Sequence, residues 1–146
     1  MIDVKIIFKT SRKITIELVN RGPFFTDIYE IWLNGKKVKE SEKTIETING
    51  LIPDTRYKLK IVQNGETSEE IETQTEYEYV TLNVKRFHAF GDGVHDDTTA
   101  IQAAIMSCPE KSRVFIPKGH YAVTSIFLKS NITIDIEKGA VLIGTK

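Results

Sequence analysis

The sequence predicts a mostly β protein in two parts: a β-sandwich, then a capping α-helix and the first coils of a right-handed parallel β-helix. Three observations predict this. Residues 4–75 carry about seven short apolar segments separated by turn signals, as a sandwich requires. Residues 99–107 are the one stretch with a helical apolar period. After residue 114 short strands recur with brief polar turns and without the helices that a doubly wound parallel sheet needs.

The first part reads strand by strand. Val4, Ile6 and Phe8 alternate, then Ile14, Ile16 and Leu18. The run from Ile28 to Leu33 leads into Asn34-Gly35, the strongest two-residue hairpin signal, and Val38 begins the return strand. Ile45, Ile48 and Leu51 follow; Tyr57, Leu59 and Ile61 alternate into a second hairpin signal, Asn64-Gly65, and a last strand lies near residues 71–75.

Leu51-Ile52-Pro53-Asp54-Thr55-Arg56-Tyr57 resembles the Leu-x-Pro-x-Thr-x-Tyr segment of fibronectin type III domains. The resemblance implies that Tyr57 starts a strand at the corner between two sheets and that its hydroxyl bonds back to the backbone. The proline turn supplies nearby carbonyls for such a bond. Trp32 stands later than the tryptophan usual in that family, which leaves the strand register open.

Residues 76–79 read as a linker or shared strand, placing a fibronectin type III-like domain at 1–78 and a second domain at 79–146. Val80, Leu82 and Val84 alternate as a strand. In residues 87–105, Gly91 and Gly93 flank Asp92 and permit a tight loop with positive φ. Asp96, Asp97, Thr98 and Thr99 offer N-caps, and Thr99 with Gln102 has capping-box spacing. Ile101, Ala104, Ile105 and Cys108 then form an apolar stripe that Pro109 ends. This helix is suited to cover the exposed end of a solenoid, of which the chain holds about one and a half coils.

Residues 80–146 resemble the N-terminal part of pectin-degrading β-helix enzymes of the pectate-lyase-like superfamily, polygalacturonases above all. The matching residues are Phe90-Gly91-Asp92-Gly93, Asp96-Asp97-Thr98, Ala100-Ile101-Gln102-Ala103-Ala104-Ile105, Val114-Phe115-Ile116-Pro117-Lys118-Gly119-His120-Tyr121, Leu128-Lys129-Ser130-Asn131 and Gly139-Ala140-Val141-Leu142. A preceding fibronectin-like module is similar to the arrangement in some bacterial exo-acting polygalacturonases. The resemblance implies inverting hydrolysis of α-1,4 bonds of polygalacturonate or oligogalacturonides, with aspartates as general acid and as bases that activate a water. Those aspartates occur on later coils, in Asn-Thr-Asp, Gly-x-Asp-Asp, Gly-His-Gly and Arg-x-Lys motifs. None can be carried over to this chain, so the expectation is an N-terminal fragment that is inactive alone, with no catalytic residue of its own and an unknown substrate-binding set. A solenoid with an open end can also cover it by self-association.

Several residues imitate sites. Asp96-Asp97 reads as capping rather than catalysis. His120, in Gly119-His120-Tyr121, and His88 and His95 read as solvated. Asp92, Asp96 and Asp97 lack the ligand series of a calcium loop, so no metal is expected. Gly91-x-Gly93 is not a dinucleotide fingerprint, and no cofactor is expected. Asn131-Ile132-Thr133 is a glycosylation sequon, relevant only to a secreted eukaryotic protein.

Lys plus Arg equals Asp plus Glu at 20 each, which gives no bias toward nucleic acid or an anionic membrane. The single cysteine, Cys108, lies on the helix stripe and reads as a buried, inert thiol. The N-terminus lacks the basic, apolar and small-residue order of a signal peptide, which favours a cytoplasmic location unless a leader precedes it. The competing readings are a noncatalytic module that binds a glycan or a protein, and the start of another β-helix protein such as a pectate lyase or tailspike. For the binding module Trp32, Tyr29 and Phe24-Phe25 offer an aromatic platform, although core packing is the simpler role for Trp32.

Overall fold

The computed structural model describes residues 2–19 and 27–145. The chain divides into two compact units, Met1–Tyr77 and Glu78–Lys146.

The described residues of the first unit form eight strands: β1 (Asp3–Lys9), β2 (Ile14–Val19), β3 (Tyr29–Leu33), β4 (Lys36–Ser41), β5 (Ile45–Ile48), β6 (Arg56–Gln63), β7 (Glu66–Thr67) and β8 (Ile71–Gln74). One antiparallel sheet has the order β1-β2-β5; the other runs β4-β3-β6-β7, with β8 also paired to β6. Between them lies the core of a fibronectin type III-like sandwich, with Ile14, Ile16 and Leu18 on one inner face and Tyr29, Ile31, Leu59 and Ile61 on the other. Period-2 alternation accounts for this, because each strand turns its branched residues inward. Both predicted hairpins form: Asn34 and Gly35 have φ of 51° and 78°, the left-handed pair that a type I′ turn needs. In β1 a register shift between Ile6 and Phe8 breaks the alternation, and Phe8 is exposed.

Tyr57 bonds back to the corner as expected, but to a different group. Its hydroxyl accepts the Ile52 N–H at 2.9 Å rather than donating to a carbonyl of the proline turn. Trp32 departs from its expected core role. Tyr29, Ile31 and Leu33 take the inner face of β3, so Trp32 lies half-buried on the outer face, and the Tyr29 ring is enclosed in the core with its hydroxyl donating to the Lys43 carbonyl at 2.6 Å. The two aromatics therefore face opposite ways. Phe24 and Phe25 lie outside the described residues.

The second unit contains β9 (Thr81–Asn83), a 3-10 turn (Val84–Phe87), β10 (Asp92–Asp96), α1 (Thr98–Ser107), β11 (Ser112–Ile116), β12 (Gly119–Val123), β13 (Ile132–Ile136) and β14 (Ala140–Gly144). Two parallel sheets result, ordered β9-β11-β13 and β10-β12-β14. Each successive pair of strands adds one rung to both sheets. This is the start of a parallel β-helix with three rungs rather than one and a half coils. Strands of 3 to 5 residues are short enough to fit three into the available length.

Val84 opens the 3-10 turn instead of ending the strand. The predicted loop at Asp92 is the edge strand β10, paired with β12 in register only at Asp92 and Asp96. Helix α1 follows the first rung. Its stripe of Ile101, Ala104, Ile105 and Cys108 is buried against Val84, Val114, Ile116, Tyr121 and Val123. On the third rung Ile136, Val141, Leu142 and Ile143 remain 37–44% exposed, so β13 and β14 end the stack with an apolar, unpaired edge among the described residues.

Candidate functional site

The segment from Phe90 to Thr98 concentrates the polar side chains that sequence reading singled out. Its central anchor is Asp97, 1% exposed. One carboxylate oxygen accepts the Phe90 N–H at 2.8 Å and the other the Gly91 N–H at 2.9 Å. The Asp97 amide donates to the Ala122 carbonyl at 2.8 Å, so this residue joins the loop, the helix start and β12. Asp97 occupies the N-cap position without a side-chain cap bond, which corrects the capping reading for this residue. Its carboxylate serves the preceding loop instead.

Gly91 makes that approach possible. At φ 66° it adopts the left-handed region, and a Cβ there would lie 2.6 Å from Lys85 Nζ and 3.2 Å from the Tyr121 ring. The Tyr121 hydroxyl donates to the Pro117 carbonyl at 2.7 Å; burial, then the charges of Asp97 and Glu137, push its pKa up.

Asp96 accepts the Thr98 N–H at 2.9 Å, a local turn at the helix entrance. The predicted capping box does not form. Gln102 instead spans to the loop after β12, accepting the Phe127 N–H at 2.7 Å and donating to the Phe127 carbonyl at 2.9 Å.

Asp92 accepts the N–H groups of Val94 and His95 at 2.9 and 3.0 Å and also contacts His95 Nδ1. The His95 ring stacks on Phe90 with centroids 3.8 Å apart. His120 lies across from Asp92 in the parallel register, exposed, and His88 ends the 3-10 turn with φ 73°. Thus His95 has a carboxylate partner that sequence reading missed; the i, i+3 spacing in a turn was the available signal.

The carboxylates of this segment are shifted away from the general-acid role of an inverting hydrolase. Such an enzyme needs one carboxyl held protonated near neutral pH as the general acid. Backbone N–H donation from His95 and Val94, with the His95 side chain, holds Asp92 far below the usual carboxylate range. The Thr98 hydroxyl and N–H lower Asp96 in the same sense. Both shifts favour the ionised form, and Asp97 is engaged by two amides.

Among the described residues no group of three or more His, Cys, Asp or Glu side chains converges to hold a metal, and no helix is long and apolar enough to cross a membrane. Cys108 is buried, and burial pushes its thiol pKa up.

Comparison with known proteins gives this arrangement a context. The family model described as rhamnogalacturonase A/epimerase, pectate lyase-like, matches residues 81–144. The chain is 32% identical over 104 residues to the exo-poly-alpha-D-galacturonosidase of Dickeya chrysanthemi, covering 67% of this chain and 17% of that protein. It is 44% identical over 62 residues to the mannuronan C5-epimerase AlgE1 of Azotobacter vinelandii, covering 36% of this chain and 4% of that protein. The solved structure of the Yersinia enterocolitica family 28 exopolygalacturonase matches 99% of this chain and 32% of its own, with TM-score 0.66 and 25% identity. The chain is therefore polygalacturonase-like in sequence and fold, and spans a third or less of the length of these proteins.

Proposed function

We propose that this chain is the N-terminal part of a pectin-degrading glycoside hydrolase resembling an exopolygalacturonase. In the full-length enzyme the reaction would be hydrolysis of α-1,4-galacturonosyl bonds in polygalacturonate or oligogalacturonides, and the 146 residues alone would be inactive. The observation that supports this most is the match of the exopolygalacturonase structure over 99% of this chain, across both units. The chemistry of the Phe90–Thr98 segment agrees, because its aspartates serve as backbone acceptors and leave the acid and base roles to other coils. Under this reading the segment starts a scaffold, and Asp97 sets the geometry of its first rungs.

Two measurements test the proposal. Reducing-sugar release from polygalacturonate by the purified chain should be absent, and release would overturn the assignment of catalysis to other coils. The reading frame after Lys146 should carry the Asn-Thr-Asp and Gly-x-Asp-Asp motifs. A stop codon there would overturn the fragment reading.

The exposed apolar edge of β13 and β14 favours a second reading for the isolated chain: self-association through that edge. Light scattering should then show a concentration-dependent rise in mass. A compact monomer at all concentrations would reject it.

A further inference from the structure

We propose that the outer face of β3 and β6 is an accessory docking site for a linear polyuronate chain, with Trp32 as the stacking surface and Lys60 and Lys58 as carboxylate partners. This rests on the reading that the full-length enzyme acts on polygalacturonate.

Trp32 sits half-buried in the middle of a sheet face, where packing against the core does not account for it. Its ring is held in place: the indole N–H donates to Glu30 at 3.0 Å, and Lys60 of the neighbouring strand stands opposite it in register with its ammonium 5.4 Å from the ring centroid. A held indole face is electron-rich and attracts both cations and the polarised C–H groups of a sugar.

The charges around it are unevenly matched. Glu30 and Glu40 both pair with Lys37, and Glu72 lies 3.9 Å from Arg56. Among the described residues neither Lys58 nor Lys60 is within ion-pair distance of a carboxylate, although Glu72 stands opposite Lys58 in register, and the two lysines project from the same face of β6 two residues apart, about 7 Å along the strand. Two ammonium groups outside any ion pair, Lys60 above all, beside an aromatic face complement a ligand that repeats an apolar sugar face and a carboxylate. A uronate unit stacking on Trp32 would take the place of Lys60 over the ring while the ammonium moved onto the carboxylate. A neutral glycan would satisfy the ring and leave both lysines unused.

The test measures binding of the whole chain to polygalacturonate by affinity electrophoresis, beside its fully methyl-esterified form, alginate and dextran sulfate. Binding should favour the uronates over the ester. Trp32→Ala should weaken it about tenfold or more, as removal of a tryptophan anchor does. Lys60→Gln, an exchange on the outer face that leaves the core intact, should weaken it several-fold and serves if Trp32→Ala fails to fold. Polygalacturonate binding indifferent to both substitutions, equal binding of dextran sulfate independent of Trp32, or no binding at all would overturn the site. Binding of alginate that depends on Trp32 and Lys60, without binding of polygalacturonate, would support the site and count against the galacturonate reading on which it rests.

Discussion

Gln102, on the exposed side of α1, holds Phe127 at two points, accepting its N–H at 2.7 Å and donating to its carbonyl at 2.9 Å. The side-chain amide thereby supplies both partners that a neighbouring strand would give this stretch, which follows β12 without strand pairing of its own. Gln102→Ala should destabilise the second unit by about 1–2 kcal/mol, since two backbone groups lose their partners where water can partly replace them. Hydrogen exchange at the Phe127 amide should accelerate most. Gln102→Glu should recover only part of this, because a carboxylate still accepts the Phe127 N–H but cannot donate to the carbonyl.

The Asp97 carboxylate sets a larger effect. It is buried and receives two backbone N–H groups, both of which lose a charged acceptor if the side chain is removed. Asp97→Ala should cost about 3–6 kcal/mol, given about 1.5–3 kcal/mol for each of the two hydrogen bonds to a charged group. Asp97→Asn retains one acceptor oxygen and should lose roughly half as much. Denaturation followed by a probe in the second unit distinguishes the two; equal stability of both variants and the parent would contradict this role.

Local periodicity carried much of the fold into the sequence. Alternation in β2 and β6, the two Asn-Gly hairpins and the stripe Ile101, Ala104, Ile105 and Cys108 are short-range patterns, and each is found in the structure. What escaped depends on partners distant in sequence. The direction of the Asp97 carboxylate follows from the path of Phe90 and Gly91, which spacing to the helix does not reveal. The residues from Ile28 to Leu33 are apolar on both alternations apart from Glu30, so the inner face is decided by what Tyr29 and Ile31 meet across the sandwich. The rung count was hidden because β10 is exposed and polar, with Asp92, Gly93, His95 and Asp96 around Val94, and so reads as a turn.

A pH dependence is expected in the sandwich. Burial pushes the Glu46 carboxyl up, but hydrogen bonds from Lys39 and Ser41 and the charge of Lys39 outweigh it and hold the pKa below the usual range. The folded value is therefore lower than the unfolded one. Its stabilising contribution is complete above the unfolded value, around pH 4.5, and is lost as pH falls through the folded value. Thermal midpoints measured from pH 7 to pH 3 should fall more steeply for the parent than for Glu46→Gln, which has no proton to take up. Parallel curves would reject the linkage.

The most sensitive point in the rung stack should be Arg113. It lies on the central strand β11, 8% exposed, with Nε 3.1 Å from Asp135 of β13, Nη1 3.4 Å from the Thr81 hydroxyl of β9, and its guanidinium 4.5 Å from the Phe115 ring centroid. One side chain thus ties all three strands of this sheet. Asp135→Ala takes this carboxylate away from a buried guanidinium, and breaking a buried pair by removing one partner costs up to about 3–5 kcal/mol, more than the pair itself contributes. Asp135→Ala should therefore unfold the second unit well before the first, seen as a separate early transition in denaturant. Replacing both partners, Arg113→Met with Asp135→Leu, removes the buried charge together with its carboxylate and should recover most of that loss. If the double variant is as unstable as Asp135→Ala, the cost lies in packing rather than in the broken ion pair, and the electrostatic account of this sheet fails.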